Sequence, residues 1–253
     1  MRLDGKVAVI VGGSGDIGRA TTAAFAETGA TVFITSRSAD HLQESLAALP
    51  TGVRGLIADP LDEASFRRSF AETGEFDYLV VTLGAQSITM PFAQLPESQF
   101  IQATQEKLLN YTRVLRAALG SIRESVTWLT GAAARSAVPG LSNYGQANGA
   151  LHGMLGALAM ELAPVRINCV AAGVTRSRFW RELGLDLQAQ QALYSDAERS
   201  LPLKHVASTS EIAHALVFAA TNTYSTGTIL DVNGGLNLGL IRTVEQESML
   251  GGV

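Results

Sequence analysis

The sequence predicts an α/β fold: a single doubly wound parallel sheet of about seven strands, with helices on both faces. Three observations carry this. β-Branched runs alternate strictly with amphipathic stretches of helical length. Several of the runs are apolar at consecutive positions, as strands covered on both faces must be. No Pro-, Ser- or Gly-rich linker and no charge run interrupts the 253 residues, so residues 1–253 are read as one domain.

Taken in order, strands are expected at 7–11 (Val-Ala-Val-Ile-Val), 31–35 (Thr-Val-Phe-Ile-Thr), 53–58, 78–82, 126–130, 165–171 and 228–232. Helices are expected between them at 17–28, 39–49, 63–72, 97–119, 143–162 and 210–220. The longest span without a strand is 173–226. Its first part carries Phe179, Trp180, Leu183, Leu185 and Tyr194 among charged residues. In an open α/β sheet the segment after a late strand overhangs the carboxyl edge, where ligands sit. A mobile substrate lid is therefore expected at 176–205; the alternative is an ordinary helical insertion packing its own aromatics.

Composition narrows the function classes. Apolar residues make up 47% and charged residues 17%, enough for a substantial core. The net charge is −4 and no Lys/Arg cluster follows a helix face, so no nucleic-acid partner is expected. The lone Cys169 lies in the apolar run 165–172 and is expected to be buried; one thiol permits no disulfide or Cys-based zinc site within the chain. His41, His205 and His214 have no metal-ligand spacing with acidic partners, so no metal is expected. No segment approaches the ~20 uninterrupted apolar residues of a membrane span. The N-terminus lacks a long apolar signal region, and a cytoplasmic location is expected.

Gly12-Gly13-Ser14-Gly15-Asp16-Ile17-Gly18 follows a strand and opens a helix. Glycines there let the backbone turn sharply and approach a pyrophosphate set against the helix N-terminus. Gly13-x-Gly15-x-x-Gly18 fits the dinucleotide pattern, and the strand–loop–helix context strengthens the match. A carboxylate beside a pyrophosphate would cost affinity, so Asp16 is read as pointing away and capping the following helix. At the end of the second strand stands Ser36-Arg37-Ser38, where NAD-binding chains place a carboxylate for the ribose. An arginine flanked by two hydroxyls suits a 2′-phosphate, so NADP(H) is the expected cofactor.

These landmarks, with Tyr144, resemble those of the short-chain dehydrogenase/reductase family over nearly the whole chain. The resemblance implies a Rossmann-like fold and oxidoreductase chemistry. On the family's Thr-Gly-x-x-x-Gly-x-Gly loop, Gly12 and Gly18 match, while Val11 replaces the threonine and Asp16 the middle glycine. Asp59-Pro60 stands where the family's Asp-Val lines the adenine. Val81-Thr82-Leu83-Gly84 replaces Asn-Asn-Ala-Gly, Ala172-Gly173 replaces Pro-Gly, and Ser177 stands for a threonine at the nicotinamide end. In the family a tyrosine protonates the carbonyl oxygen, a serine thirteen residues earlier holds that oxygen, and a lysine four residues after the tyrosine lowers its pKa and grips the ribose. Here Tyr144 matches, Gly131 leaves the serine role vacant, and Asn148 takes the lysine position. The family's asparagine on the preceding long helix is Lys107, one of only three lysines. Lysine and asparagine thus look exchanged between two facing helices, an exchange that resembles a divergent branch of the family.

Lys107 shares a helical stripe with Phe100, Ala103, Thr104, Tyr111 and Val114. Either its ammonium is buried and functional, or its stem lies on the apolar face and its head reaches solvent. An unshifted tyrosine is protonated at neutral pH, which leaves it a donor but not a base. The expected function is therefore NADPH-dependent reduction of a ketone, imine or activated alkene in a small apolar molecule. Tyr144 donates the proton, Lys107 supplies positive charge and Asn148 holds the ribose. The alternatives are a non-redox cyclase or lyase, or a catalytically silent subunit on the same fold. His152 is read as a packing or subunit-contact residue. The resemblance also implies a homodimer or homotetramer through 97–119 and 143–162, with Gly149, Gly153, Gly156 and Ala157 allowing close approach.

Overall fold

A computed structural model describes residues 2–238; the remainder of the expected domain, Met1 and 239–253, lies outside the described residues. Seven strands form one sheet: β1 (Val7–Val11), β2 (Thr31–Ser36), β3 (Arg54–Ile57), β4 (Phe76–Val81), β5 (Ile122–Gly131), β6 (Arg166–Ala172) and β7 (Ile229–Val232). All neighbouring pairs are parallel, in the order β3-β2-β1-β4-β5-β6-β7. This is the expected doubly wound Rossmann-like architecture.

The helices are α1 (Asp16–Glu27), α2 (Ala39–Ala47), α3 (Glu63–Thr73), α4 (Glu97–Thr104), α5 (Asn110–Ala118), α6 (Ser142–Glu161), α7 (Phe179–Glu182), α8 (Leu187–Ser200) and α9 (Thr209–Thr221). Alternate strand residues point to opposite faces, and the two cores divide accordingly. Val9, Val11, Leu79, Val81, Trp128 and Cys169 pack with side chains of α3, α5 and α6. Ala8, Ile10, Ile34, Val80 and Val170 pack with Phe25 of α1, Leu42 of α2 and Ile212, Leu216 and Val217 of α9. Cys169 is fully buried in β6, as expected.

Two elements differ from expectation in ways that matter for the site. The stretch 97–119 is not one regular helix: a π-helical turn, Gln105–Leu109, separates α4 from α5. Such turns interrupt the ordinary ladder and recur at functional sites; Lys107 is at the centre of this one. β5 begins at Ile122, four residues before 126, because Ile122 still pairs with Phe76 across a register shift.

The winding direction of the sheet reverses between β1 and β4. Their ends are stapled by Thr82, whose backbone N–H (2.8 Å) and Oγ1 (3.0 Å) both donate to the Val11 carbonyl. Gly12 follows at φ +84°, and a Cβ there would come within 2.9 Å of Thr82 Oγ1. Space at the switch point thus dictates glycine.

Candidate active site

A cleft of about 550 Å³ opens at the carboxyl edge of the sheet over this switch point. Of the expected residues it brings together Gly15, Asp16, Ile17, Gly18, Gly84, Lys107, Tyr144, Asn148, Gly173 and Ser177. It does not include Gly12, Ser14, Ser36, Arg37, Ser38, Asp59 or Pro60. The last five flank the ends of β2 and β3 on the same edge.

The loop fits a dinucleotide. A Cβ at Gly18 would stand 2.1 Å from the Gly12 carbonyl oxygen, so α1 begins hard against the turn. No side chain caps α1, and its first N–H groups remain available to an anion. On the adenosine side Ser36 is buried and Arg37 exposed. Ser38 is the N-cap of α2, its hydroxyl accepting from the His41 N–H at 3.2 Å. Asp59 is similarly engaged, accepting from the Leu61 N–H at 2.9 Å. Ser14, Gly12, Gly15, Gly18 and Ile17 would hold the pyrophosphate, and Arg37 with the Ser36 and Ser38 backbone the adenosine end.

Asp16 requires a correction. It does not cap α1; the N-cap is Gly15, and Asp16 is the first helical residue. Its carboxylate instead takes two hydrogen bonds from Arg178, from the backbone N–H at 2.6 Å and from Nε at 2.7 Å. The partner lies 162 residues away, and the sequence reading missed it. The signal was present all the same: a carboxylate in an anion-binding loop calls for a countercharge.

Tyr144, in the first turn of α6, is buried. Its hydroxyl donates to the Ser87 carbonyl at 2.7 Å, with the Ala85 carbonyl at 3.1 Å. These carbonyls belong to the 84–90 loop after β4, which α4, the π turn and α6 clamp from several sides. The Gln86 N–H donates to Glu106, the Ile88 N–H to Gln99, and Asn143 Nδ2 to the Ile88 carbonyl. Burial raises the Tyr144 pKa well above the usual phenol value, outweighing the opposing effect of Ser87; the nearby Glu106 charge pushes the same way as burial. The phenol is therefore protonated at neutral pH. Phe179 covers its ring edge-on, with centroids 6.0 Å apart.

Lys107 does not reach solvent; it is 6% exposed. Nζ donates to the carbonyls of Leu83 (2.8 Å) and Leu129 (3.3 Å) and to the Tyr111 hydroxyl (3.1 Å). Tyr111 passes its own proton to the Leu129 carbonyl at 2.7 Å. The amine thus ties the segment leaving β4 to β5 beneath the cleft. Burial disfavours the ammonium and pushes the pKa down to about 7, against the smaller opposing influence of Cys169 and Glu106. Among the described residues Lys107 makes no hydrogen bond to Tyr144 or Asn148.

Asn148 sits one helical turn beyond Tyr144. Its Oδ1 accepts from the Gly131 N–H at 2.9 Å and its Nδ2 donates to the Tyr144 carbonyl at 2.8 Å. It therefore fixes α6 to the end of β5. Gly131 is not glycine for lack of room: a Cβ there would meet only Asn148, at an ordinary 3.6 Å. The hydroxyl of neighbouring Thr130 is engaged away from Tyr144. It faces His152 Nε2 at 2.8 Å and the Val170 carbonyl at 3.3 Å. The cleft is completed by Arg178, Phe179 and Trp180 from the segment that follows β6.

A family model described as enoyl-(acyl carrier protein) reductase matches residues 12–237. The chain belongs to the short-chain dehydrogenase/reductase family, an oxidoreductase family. Among characterised relatives, L-fucose dehydrogenase of Mus musculus is 31% identical, covering 98% of this chain and 94% of the relative. The 3-oxoacyl-(acyl-carrier-protein) reductase of Escherichia coli is 28% identical over 93% of this chain and 99% of its own. A small-chain dehydrogenase solved in complex with NADPH is 26% identical, with a TM-score of 0.77 over 93% of this chain and all of its own. A short-chain oxidoreductase from Pseudomonas aeruginosa PAO1, described as containing an atypical catalytic center, is 28% identical. Its TM-score is 0.82, covering 93% of this chain and 98% of its own.

The buried amine makes a testable contribution to stability. Below about pH 7, Lys107 is protonated in both folded and unfolded chains, and the cost of burying its charge is fully present. As pH rises from about 7 towards 10.5, the unfolded chain keeps a proton that the folded chain has released. The wild type should therefore gain stability relative to Lys107→Met by up to about 1.4 kcal/mol per pH unit over this window. Urea denaturation at pH 6.5 and pH 9 measures it; parallel profiles for the two proteins would show that the amine keeps its ordinary pKa.

Proposed function

We propose that this protein reduces a carbonyl-like group (a ketone, imine or activated alkene) in a small apolar molecule at the expense of NADPH. The observation that carries the reading is that one cleft joins the glycine loop at α1 to the protonated phenol of Tyr144. Bound NADPH would supply the hydride. The protein's part is to deliver the proton. Tyr144 Oη gives it to the atom that gains charge as hydride arrives (ketone oxygen, imine nitrogen, or the activating group of an alkene), exchanging the Ser87 carbonyl for that atom and later regaining a proton from solvent. At neutral pH the phenol begins protonated, the state that reduction needs and that a base for alcohol oxidation cannot use.

The other roles follow from position. Lys107 supplies partial positive charge from below the cleft, and Asn148 presents the remainder of its amide to the ribose. Arg37 selects NADPH over NADH; the NADPH complex of a structural relative supports this choice. A structural relative described as containing an atypical catalytic center is consistent with a departure from the usual constellation in this fold. Segment 176–205 acts as the lid, its Phe179 and Trp180 favouring apolar substrates. The reading places the enzyme in the cytoplasm, without nucleic-acid or membrane partners; among the described residues no helix is long and apolar enough to cross a membrane.

One observation favours the second reading, a non-redox enzyme or silent subunit: the Tyr144 proton is already held by a backbone carbonyl. Turnover separates the two. With NADPH and a panel of small apolar ketones and imines, cofactor oxidation should be measurable by absorbance and fall about 100-fold in Tyr144→Phe. No oxidation with any substrate, or full activity in Tyr144→Phe, rejects the reduction mechanism.

Assembly is also proposed. Added Cβ atoms at Gly149, Gly153 and Gly156 would touch nothing within 4 Å, so this face of α6 is free to meet a second copy. Light scattering at micromolar concentration should give a dimer or tetramer; a stable monomer contradicts it.

A further inference from the structure

Arg178 stands at the entrance to the cleft and has two neighbours of opposite function. On one side it holds Asp16, in the dinucleotide loop, through its backbone N–H and Nε. On the other it is followed by Phe179, which lies edge-on against Tyr144, and by Trp180, whose ring meets Phe179 at 5.1 Å. Trp180 Nε1 donates to the Thr175 carbonyl at 2.9 Å, closing this short segment on itself. Residues 175–180 therefore span the cleft from the phosphate loop to the phenol.

The electrostatics of the loop require such a residue. Asp16 is the first residue of α1 and lines the cleft, so an unneutralised carboxylate there would repel a diphosphate. The Arg178 guanidinium cancels that charge and uses only one edge to do so. Nε is on Asp16, while Nη2 makes only a long contact, 3.4 Å, to the Ser14 carbonyl. That carbonyl is already satisfied by Arg19 Nε at 2.9 Å. The outer edge of the guanidinium is left to a ligand, in the planar geometry that suits phosphate oxygens.

We propose that Arg178 is a dinucleotide-binding residue: held in place by Asp16, it receives the diphosphate on its free edge and so couples cofactor binding to the position of the 175–180 strap over Tyr144. This rests on the dinucleotide reading above and adds to it a residue and a coupling. Asp16 acts through Arg178 as a positioning residue, and its carboxylate is tolerated in the loop because Arg178 is opposite.

The test is a set of calorimetric titrations with NADPH and NADH on the full chain and on Arg178→Ala, Arg178→Lys and Asp16→Gly/Arg178→Ala. Arg178→Ala should weaken both cofactors at least tenfold and equally, because the diphosphate is common to both. Arg178→Lys should recover only part of the loss. The double variant should bind at least threefold more tightly than Arg178→Ala, since the bare carboxylate is gone; a merely structural arginine would show no such rescue. Trp180 gives a second readout with NADP⁺, whose oxidised nicotinamide does not absorb tryptophan emission: Trp128 is fully buried, and a fluorescence change on NADP⁺ binding should vanish in Trp180→Phe and shrink in Arg178→Ala. Loss confined to NADPH would assign Arg178 to the 2′-phosphate and overturn the proposal. So would unchanged binding in Arg178→Ala, or a double variant no better than the single. If the wild type binds neither cofactor, the dinucleotide reading itself fails, and this proposal with it.

Discussion

Everything at the site depends on where the sheet reverses its winding. From the β1–β4 pair the chain winds outward in both directions, so the loops leaving these two strands part company and open a crevice at their carboxyl ends. Thr82 keeps the floor of that crevice closed by donating twice to the Val11 carbonyl. Gly12 turns directly above it, and Gly18 brings the first turn of α1 against that turn. The helix N-terminus, with its unpaired N–H groups, thereby points at the same space that Tyr144 reaches from α6.

The polar groups around this crevice are arranged by burial more than by mutual contact. Lys107 lies under the site with its amine on two backbone carbonyls and a phenol, tying the chain leaving β4 to β5. Tyr144, from α6, donates its hydroxyl proton in a hydrogen bond to the Ser87 carbonyl. Asn148 binds α6 to the end of β5 through Gly131. The Lys107 amine therefore lies beneath the strand ends, while Asn148 lines the cleft above.

Much of this was legible in the residues. Alternating β-branched and amphipathic runs gave the strand and helix order, because side-chain period and burial are local properties. The apolar neighbours of Lys107 (Phe100, Ala103, Tyr111 and Val114, at helical spacing) left its amine either buried or reaching solvent, and only the structure decides for burial. Less legible were features that depend on distant chain segments. The π turn at 105–109 leaves no mark in the hydrophobic pattern. The acceptor of the Tyr144 proton is a backbone carbonyl, which any residue at 87 would provide. Arg178 meets Asp16 only because the segment after β6 folds back over the loop after β1. A charge that looked misplaced was the one local trace of that contact.

The central claim is that the loops after β1 and β4 and the segment after β6 form one dinucleotide site. Hydrogen–deuterium exchange of the protein with and without NADPH tests this most directly. The account predicts slower exchange together at residues 12–18, 84–90 and 175–183, with little change in the outer helices. Protection absent from 12–18, or confined to regions away from these three segments, would contradict it.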